Sequence, residues 1–312
     1  MSAAPRYLAL SGGVGGAKLA SGLAQVLPTG ALIVAVNTGD DFRHLGLTIC
    51  PDLDTVLYTL AGLANREQGW GREGESWQVL DELGRLGGDT WFRLGDRDLA
   101  LHLLRSQLLG QGLTLSQAIT EMANRLSIHT EVAPLSDDPV RTLVETDQGL
   151  LEFQDYFVRR HCAPAVKALH FDGAAQAVLA PAIRRALDDP ALAGVILCPS
   201  NPYLSIAPML AVPELRQRLR QLQVPVIAVS PIVGGEAIKG PTAKIMRELG
   251  LQPSAVAISE LYGDFLDLTV VDIQDAALAT GDHFAVAPIV MKTIEDRVDL
   301  ARRCLALVGH KH

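Results

Sequence analysis

Ser11-Gly12-Gly13-Val14-Gly15-Gly16-Ala17-Lys18 stands between an apolar run and a segment of helical period. Its glycines permit a tight turn and let a ligand approach the backbone closely. The first N–H groups of the following helix then suit an anion, above all a phosphate. Neither familiar phosphate motif is complete. A dinucleotide fingerprint counted from Gly13 requires glycine where Lys18 stands, and a Walker A loop requires Ser or Thr after Gly-Lys, where Ala17-Lys18-Leu19 occurs. The loop therefore points to an anion site without naming the ligand. A glycine-rich turn with no ligand is the plainer alternative.

Acids follow. Asn37-Thr38-Gly39-Asp40-Asp41 and Pro51-Asp52-Leu53-Asp54-Thr55 lie close in sequence. The first suits a ribose hydroxyl, magnesium or a solvated Asx turn; in the second, Asp52 or Asp54 also suits a helix cap. Magnesium takes few carboxylates and completes its octahedron with water and substrate phosphates. Asp41 and Asp54 with a diphosphate meet that description, as metal ligands and as catalytic carboxylates. Trp91-Phe92-Arg93-Leu94-Gly95-Asp96-Arg97-Asp98 adds an Arg fork for a phosphate or polar ring edge and aromatics for a flat heterocycle. Its plain alternative is a salt-bridged turn in which Asp96 caps the next helix. Pro199-Ser200-Asn201-Pro202 and Gly234-Gly235-Glu236-Ala237-Ile238-Lys239-Gly240-Pro241 repeat the anion theme after later strands.

Short apolar runs alternate with helix-period segments, the pattern of an α/β protein with a mostly parallel sheet. Tyr7–Leu10, Leu32–Val36, Gly194–Cys198 and Val226–Val229 read as strands. Gly16–Leu27, Pro213–Leu222, Pro241–Leu249 and Ile294–Leu307 read as helices. Residues 57–126 offer helical segments at Trp77–Leu86, Leu99–Leu109 and Leu115–Leu126 but no convincing buried strand. Residues 57–135 read as a helical insertion subdomain in a Rossmann-like domain of residues 1–56 and 136–312. Arg141–Glu145 and Leu150–Val158 read as a hairpin returning the chain to the sheet. His310-Lys311-His312 reads as a frayed tail.

The chain has 312 residues, 27 Lys and Arg against 35 Asp and Glu, and a formal charge of −8. A global negative field opposes nucleic acid and anionic membrane as partners, so a phosphate ligand needs a local cluster of N–H groups and cations. Cys50, Cys162, Cys198 and Cys304 are widely spaced, which suggests buried free thiols rather than a disulfide framework or zinc site. The first residues lack the pattern of a signal peptide, and no apolar run is long enough to span a bilayer. A cytoplasmic protein is expected.

SGGVGGAK, NTGDD, PDLDTVLY, FRLGDRDLA, SDDPVRT, PSNPYLSI and SPIVGGEAIKGP occur in this order from residue 11 to 241. Together they resemble the 2-phospho-L-lactate transferase (CofD-like) family of coenzyme F-420 biosynthesis, over nearly the whole chain. The resemblance implies a Rossmann-like fold with a helical insertion, and transfer of a phosphorylated three-carbon acid from a GDP-linked donor to the ribityl hydroxyl of the deazaflavin Fo. It further implies GMP as leaving product, magnesium as helper and a homodimer. On matching positions, Asp54 and Arg93 would contact Fo. Gly12, Gly13, Gly15, Lys18, Ser200, Asn201, Gly234, Gly235 and Lys239 would face the nucleotide. No Ser–His or Cys–His nucleophile pair is visible, which agrees with direct attack by the alcohol. The alternatives are a nucleotide-sugar-binding regulator of the related gluconeogenesis-factor type and a nicotinamide dehydrogenase, the latter disfavoured by Lys18.

Overall fold

The computed structural model describes residues 4–65, 68 and 70–309, so the tail at 310–312 lies outside the described residues. Seven strands form the main sheet: β1 (Arg6–Ser11), β2 (Leu32–Val36), β3 (Glu131–Pro134), β4 (Leu192–Leu197), β5 (Val226–Val229), β6 (Leu268–Val271) and β7 (Phe284–Val286). Their order is β7-β6-β5-β4-β1-β2-β3, and all neighbours are parallel. The central strands are near-continuous apolar runs because helices cover both faces of the sheet. Leu8, Leu10, Val195 and Leu197 point into one core, while Ala9, Val34, Ile196 and Ile227 point into the other. From β1 the chain steps outward through β2 and β3, then returns to the far side of β1 as β4. That reversal puts a topological switch point between β1 and β4, where open α/β sheets bind ligands.

The helix after β1, α1 (Gly13–Val26), packs in the second core with the C-terminal helix Ile294–Gly309. The helix α2 (Pro51–Leu60) follows, and then three helices of the expected insertion: α3 (Gln78–Arg85), α4 (Asp96–Gly110) and α5 (Leu115–Arg125). Leu53 and Leu57 of α2, Leu101 and Leu108 of α4, and Ile119 and Met122 of α5 join that same core. These helices thus pack onto the sheet and share its core. Glu75 accepts from the N–H groups of Arg97 and Asp98 and so caps α4. Asp96, the expected cap of α4, accepts instead from those of Gln78 and Val79 at the start of α3. The two acids exchange places across the α3–α4 connection.

One strand is unanticipated: β3, just beyond the helical stretch 57–126, pairs in parallel with β2 from Ile33↔Glu131 to Val36↔Pro134. The expectation for the hairpin is corrected. The Arg141–Thr146 and Gly149–Glu152 hairpin does not return to the main sheet. It pairs with Val166–Asp172 in a separate three-stranded antiparallel sheet. Its second strand also ends early, and the chain passes into a π-helical turn, Asp155–Arg159. Cys50, Cys198 and Cys304 are buried free thiols as expected, while Cys162 is only half-buried. Among the described residues no helix is long and apolar enough to cross a membrane.

Candidate active site

A cavity of about 900 Å³ opens beyond the carboxyl ends of β1, β2, β4 and β5, lined by Gly12, Asp40, Ser200 and Pro231 among others. It lies at the switch point. β1 passes into α1 through Gly12 alone, and the Gly12 N–H donates to Ser200 Oγ at 2.9 Å, tying the two loops together. The glycines are required by packing. A Cβ on Gly15 would sit 2.3 Å from the Pro199 carbonyl oxygen, and one on Gly16 would sit 2.3 Å from Ser200 Oγ. Gly13 has φ +60°, a conformation that favours glycine.

Asp52 lies against the start of α1, where a backbone hydrogen bond from Gly13 reaches its carboxylate. One donor of the helix terminus is therefore already used by the protein. Burial pushes Asp52 up to about 6, against hydrogen bonds from Asn37, Ser205 and Gly13. Asn37 Nδ2 lies 3.0 Å from Asp52 Oδ2 and 3.4 Å from Asp40 Oδ1, bridging the two acids. Burial raises Asp40 well above the usual carboxylate range, and the nearby charges of Asp52 and Asp41 raise it further.

Asp54 lines the cavity, whereas Asp41 does not. Burial also raises Asp41 strongly, and its carboxylate pairs with the Cys50 thiol. The structure therefore does not bring Asp41 and Asp54 together on the cavity wall. Asp40, Asp52, Asp54 and Asp98 are the acids that face it. Among the described residues no three His, Cys, Asp or Glu side chains are grouped to enclose a metal ion. Asp54 Oδ2 is buried without a hydrogen-bond partner. This donor set fits a divalent cation that takes one or two carboxylates and completes its shell from substrate phosphates; it does not fit a protein-built cage.

The opposite chemistry comes from Lys18 and Lys239, both on the cavity wall. Burial lowers the Lys18 ammonium from its usual value, and the charges of Arg297 and Lys239 lower it further. Lys18 Nζ donates to the Met291 carbonyl at 2.8 Å. Ser200 and Asn201 line the cavity as expected, although Asn201 Oδ1 also caps the π-helical turn Pro202–Ile206 through the N–H groups of Tyr203 and Leu204. Gly234 and Gly235 are placed elsewhere. They turn a short hairpin between Ile232–Val233 and Glu236–Ala237, with φ of +59° and +79°, and only the later part of that loop, Ile238 to Thr242, reaches the cavity.

Aromatic side chains form a third zone. Trp91 and Phe92 line the cavity in an edge-to-face pair with centroids 5.6 Å apart, and Arg159 from the Asp155–Arg159 turn lies 5.6 Å over the Trp91 ring. Arg93 also lines the cavity, with its guanidinium 4.3 Å over Trp77. Sequence reasoning missed the Asp155–Arg159 turn and the group beside Asp54. Arg105 Nη2 binds Asp54 Oδ1, His102 lies between Arg105 and Asp98, and the Tyr58 hydroxyl donates to Asp98 at 2.6 Å. Burial pushes Asp98 up, but hydrogen bonds from His102 and Tyr58 bring it below its usual value. The available signal was the spacing of Asp98, His102 and Arg105, which puts three polar groups on one helical face.

Residues 8–294 match the family described as "2-phospho-L-lactate transferase CofD". A phosphoenolpyruvate transferase from Kitasatospora aureofaciens is 42% identical over 97% of this chain and 97% of its own. One from Streptomyces griseus is 39% identical over 97% and 98%. A 2-phospho-L-lactate transferase from Methanosarcina acetivorans is 40% identical over 88% and 87%. A solved structure of a UPF0052 family protein from Bacillus halodurans shares the fold at a TM-score of 0.61 and 15% identity, covering 97% of this chain and 100% of that one. With a switch-point cavity that joins glycine-rich, acidic and aromatic walls, the chain belongs to the CofD family of transferases of coenzyme F-420 biosynthesis.

Proposed function

We propose that this chain transfers a phosphorylated three-carbon acid from a GDP-linked donor to the ribityl hydroxyl of Fo, releasing GMP. The observation that carries the reading is one cavity of about 900 Å³ with three chemically distinct walls. That volume is at the upper end for small-molecule sites, as two substrates require. The guanine nucleotide lies along the α1 terminus, the Ser200–Asn201 loop and Lys239. Lys18, Lys239 and the remaining N–H groups of α1 take the diphosphate charge. Trp91, Phe92 and Arg93 hold the deazaflavin, and its side chain reaches inward to Asp54.

The acceptor oxygen attacks the phosphorus that carries the three-carbon acid, and the bond from that phosphorus to the GMP oxygen breaks. The hydroxyl proton passes to Asp54, a carboxylate whose affinity for protons is raised by burial. Positioning and charge neutralisation supply most of the rate in such transfers. Magnesium, where bound, would supply neutralising charge for the diphosphate. Asp40 would hold it, in place of the Asp41–Asp54 pair, because Asp40 faces the cavity while Asp54 is engaged by Arg105 at Oδ1 and by the acceptor hydroxyl at Oδ2.

Incubation with Fo and a GDP-linked phospholactate, phosphoenolpyruvate or phosphoglycerate donor tests the reading. Mass spectrometry should show an acceptor heavier by the phosphorylated acid, together with stoichiometric GMP. Binding of a donor with no transfer from any of the three would replace the transferase by a nucleotide-binding regulator.

A further inference from the structure

Arg105 is fully buried on α4, and its guanidinium is divided among three acceptors. Nη2 binds Asp54 Oδ1, while Nη1 reaches the Thr48 carbonyl at 3.1 Å and His102 Nδ1 at 3.2 Å. A guanidinium has donors only, so His102 Nδ1 must be the acceptor in that contact. The ring proton is then on Nε2, which lies 3.2 Å from Asp98 Oδ1, within ion-pair distance but off the line of a hydrogen bond. Asp98 is in turn held by the Tyr58 hydroxyl and by Glu75, which caps the helix turn carrying it. With Nδ1 given to Arg105, the imidazole has no proton for Asp54 Oδ2, 3.6 Å away. Oδ1 is taken and Oδ2 has no partner.

We infer that Asp98, His102 and Arg105 form a positioning chain that fixes the Asp54 carboxylate, committing Oδ1 to Arg105 and reserving Oδ2 for the acceptor hydroxyl. Each member is oriented by the next, as a carboxylate orients a histidine in other catalytic sites. None of the three needs to change covalently or exchange a proton during turnover. The inference rests on the reading of Asp54 as the group that meets the acceptor.

His102→Ala leaves Arg105 without one acceptor and frees Asp54 to turn. In steady-state assays with Fo and the accepted donor, kcat should fall ten-fold or more while KM for Fo stays within two-fold. His102→Gln keeps one donor and one acceptor and should recover most of the loss. In an Asp54→Asn background the further change His102→Ala should have almost no effect, because its target is gone. Proton–nitrogen correlation spectra of ring-labelled protein, assigned by the signal missing in His102→Gln, should show His102 as the Nε2–H tautomer. An Nδ1–H ring, unchanged kcat in His102→Ala, or full additivity in the double variant would each overturn the chain while leaving the Asp54 reading intact. Normal turnover of Asp54→Asn would instead remove that reading and the inference with it.

Discussion

At the scale of single residues, the walls of the cavity separate roles that sequence spacing left mixed. On the proposed reaction, Asp54→Asn keeps the size of the side chain and one acceptor for Arg105 but removes the charge offered to the acceptor hydroxyl. Turnover should fall by about 10²-fold or more, and the melting temperature should also fall, because the buried Arg105 loses its charged partner. On the proposed reaction Arg93 holds Fo both before and after transfer, so Arg93→Ala should raise KM for Fo and leave kcat close to wild type. Lys18 is a cation half-withdrawn from water beside Lys239 and Arg297. It has one fixed hydrogen bond, to the Met291 carbonyl, and donors to spare. Lys18→Met should weaken donor binding by about ten-fold, roughly 1.4 kcal/mol, with little change in Fo affinity. Titration calorimetry with each substrate separates these cases. A Lys18→Met protein that binds the donor normally would place the diphosphate away from α1.

At the scale of elements, the glycine loop is a packing device as much as a ligand cradle, and this changes what its mutation means. A methyl group at position 15 would meet the Pro199 carbonyl at 2.3 Å, and a backbone oxygen cannot swing aside. Gly15→Ala should therefore lower stability by about 1–3 kcal/mol through overpacking. It should also push β1 and β4 loops apart, so that donor and acceptor binding weaken together. Thermal melting beside both affinities checks this. Loss of donor binding alone, at normal stability, would restore a purely local reading. The central elements were legible because β1, β2 and β5 are short apolar runs bounded by Gly, Pro and Ser. β3 was not, since Glu131-Val132-Ala133-Pro134 is four residues long, carries Glu and Pro, and becomes a strand only by pairing with β2. The Asp98–His102–Arg105 face stood in plain view on α4, but its meaning depends on Asp54, which the fold brings beside it from another helix. Gly234 and Gly235 resembled a phosphate loop because hairpin turns and anion cradles require the same positive φ.

At the scale of the whole molecule, a protein of net charge −8 gathers Asp40, Asp41, Asp52 and Asp54 from two neighbouring segments and withdraws them from water. Burial raises all four, and Asp52 moves from 3.8 to about 6. An acid raised on folding binds more protons in the native state than in the unfolded chain. Its stabilising contribution is complete below the unfolded value and is lost as pH rises through the folded one. For Asp52 that window runs from 3.8 to about 6, and at 1.36 kcal/mol per unit the loss is of the order of 3 kcal/mol. Asp40, raised well above its usual value by the same burial, adds to that decline. Protein freed of metal by a chelator should thus melt at a lower temperature near pH 7.5 than near pH 5.5, the reverse of the trend that salt-bridged surface carboxylates impose. Asp40→Asn, which keeps an acceptor for Asn37 Nδ2 and removes a buried charge, should flatten the slope and raise the melting temperature near pH 7.5 while lowering turnover. Magnesium with a GDP-linked donor should offset the repulsion and stabilise wild type more strongly at pH 7.5 than at pH 5.5. A melting temperature that climbs steadily from pH 5.5 to 7.5 in chelator, in wild type and Asp40→Asn alike, would show that the cavity acids do not govern stability.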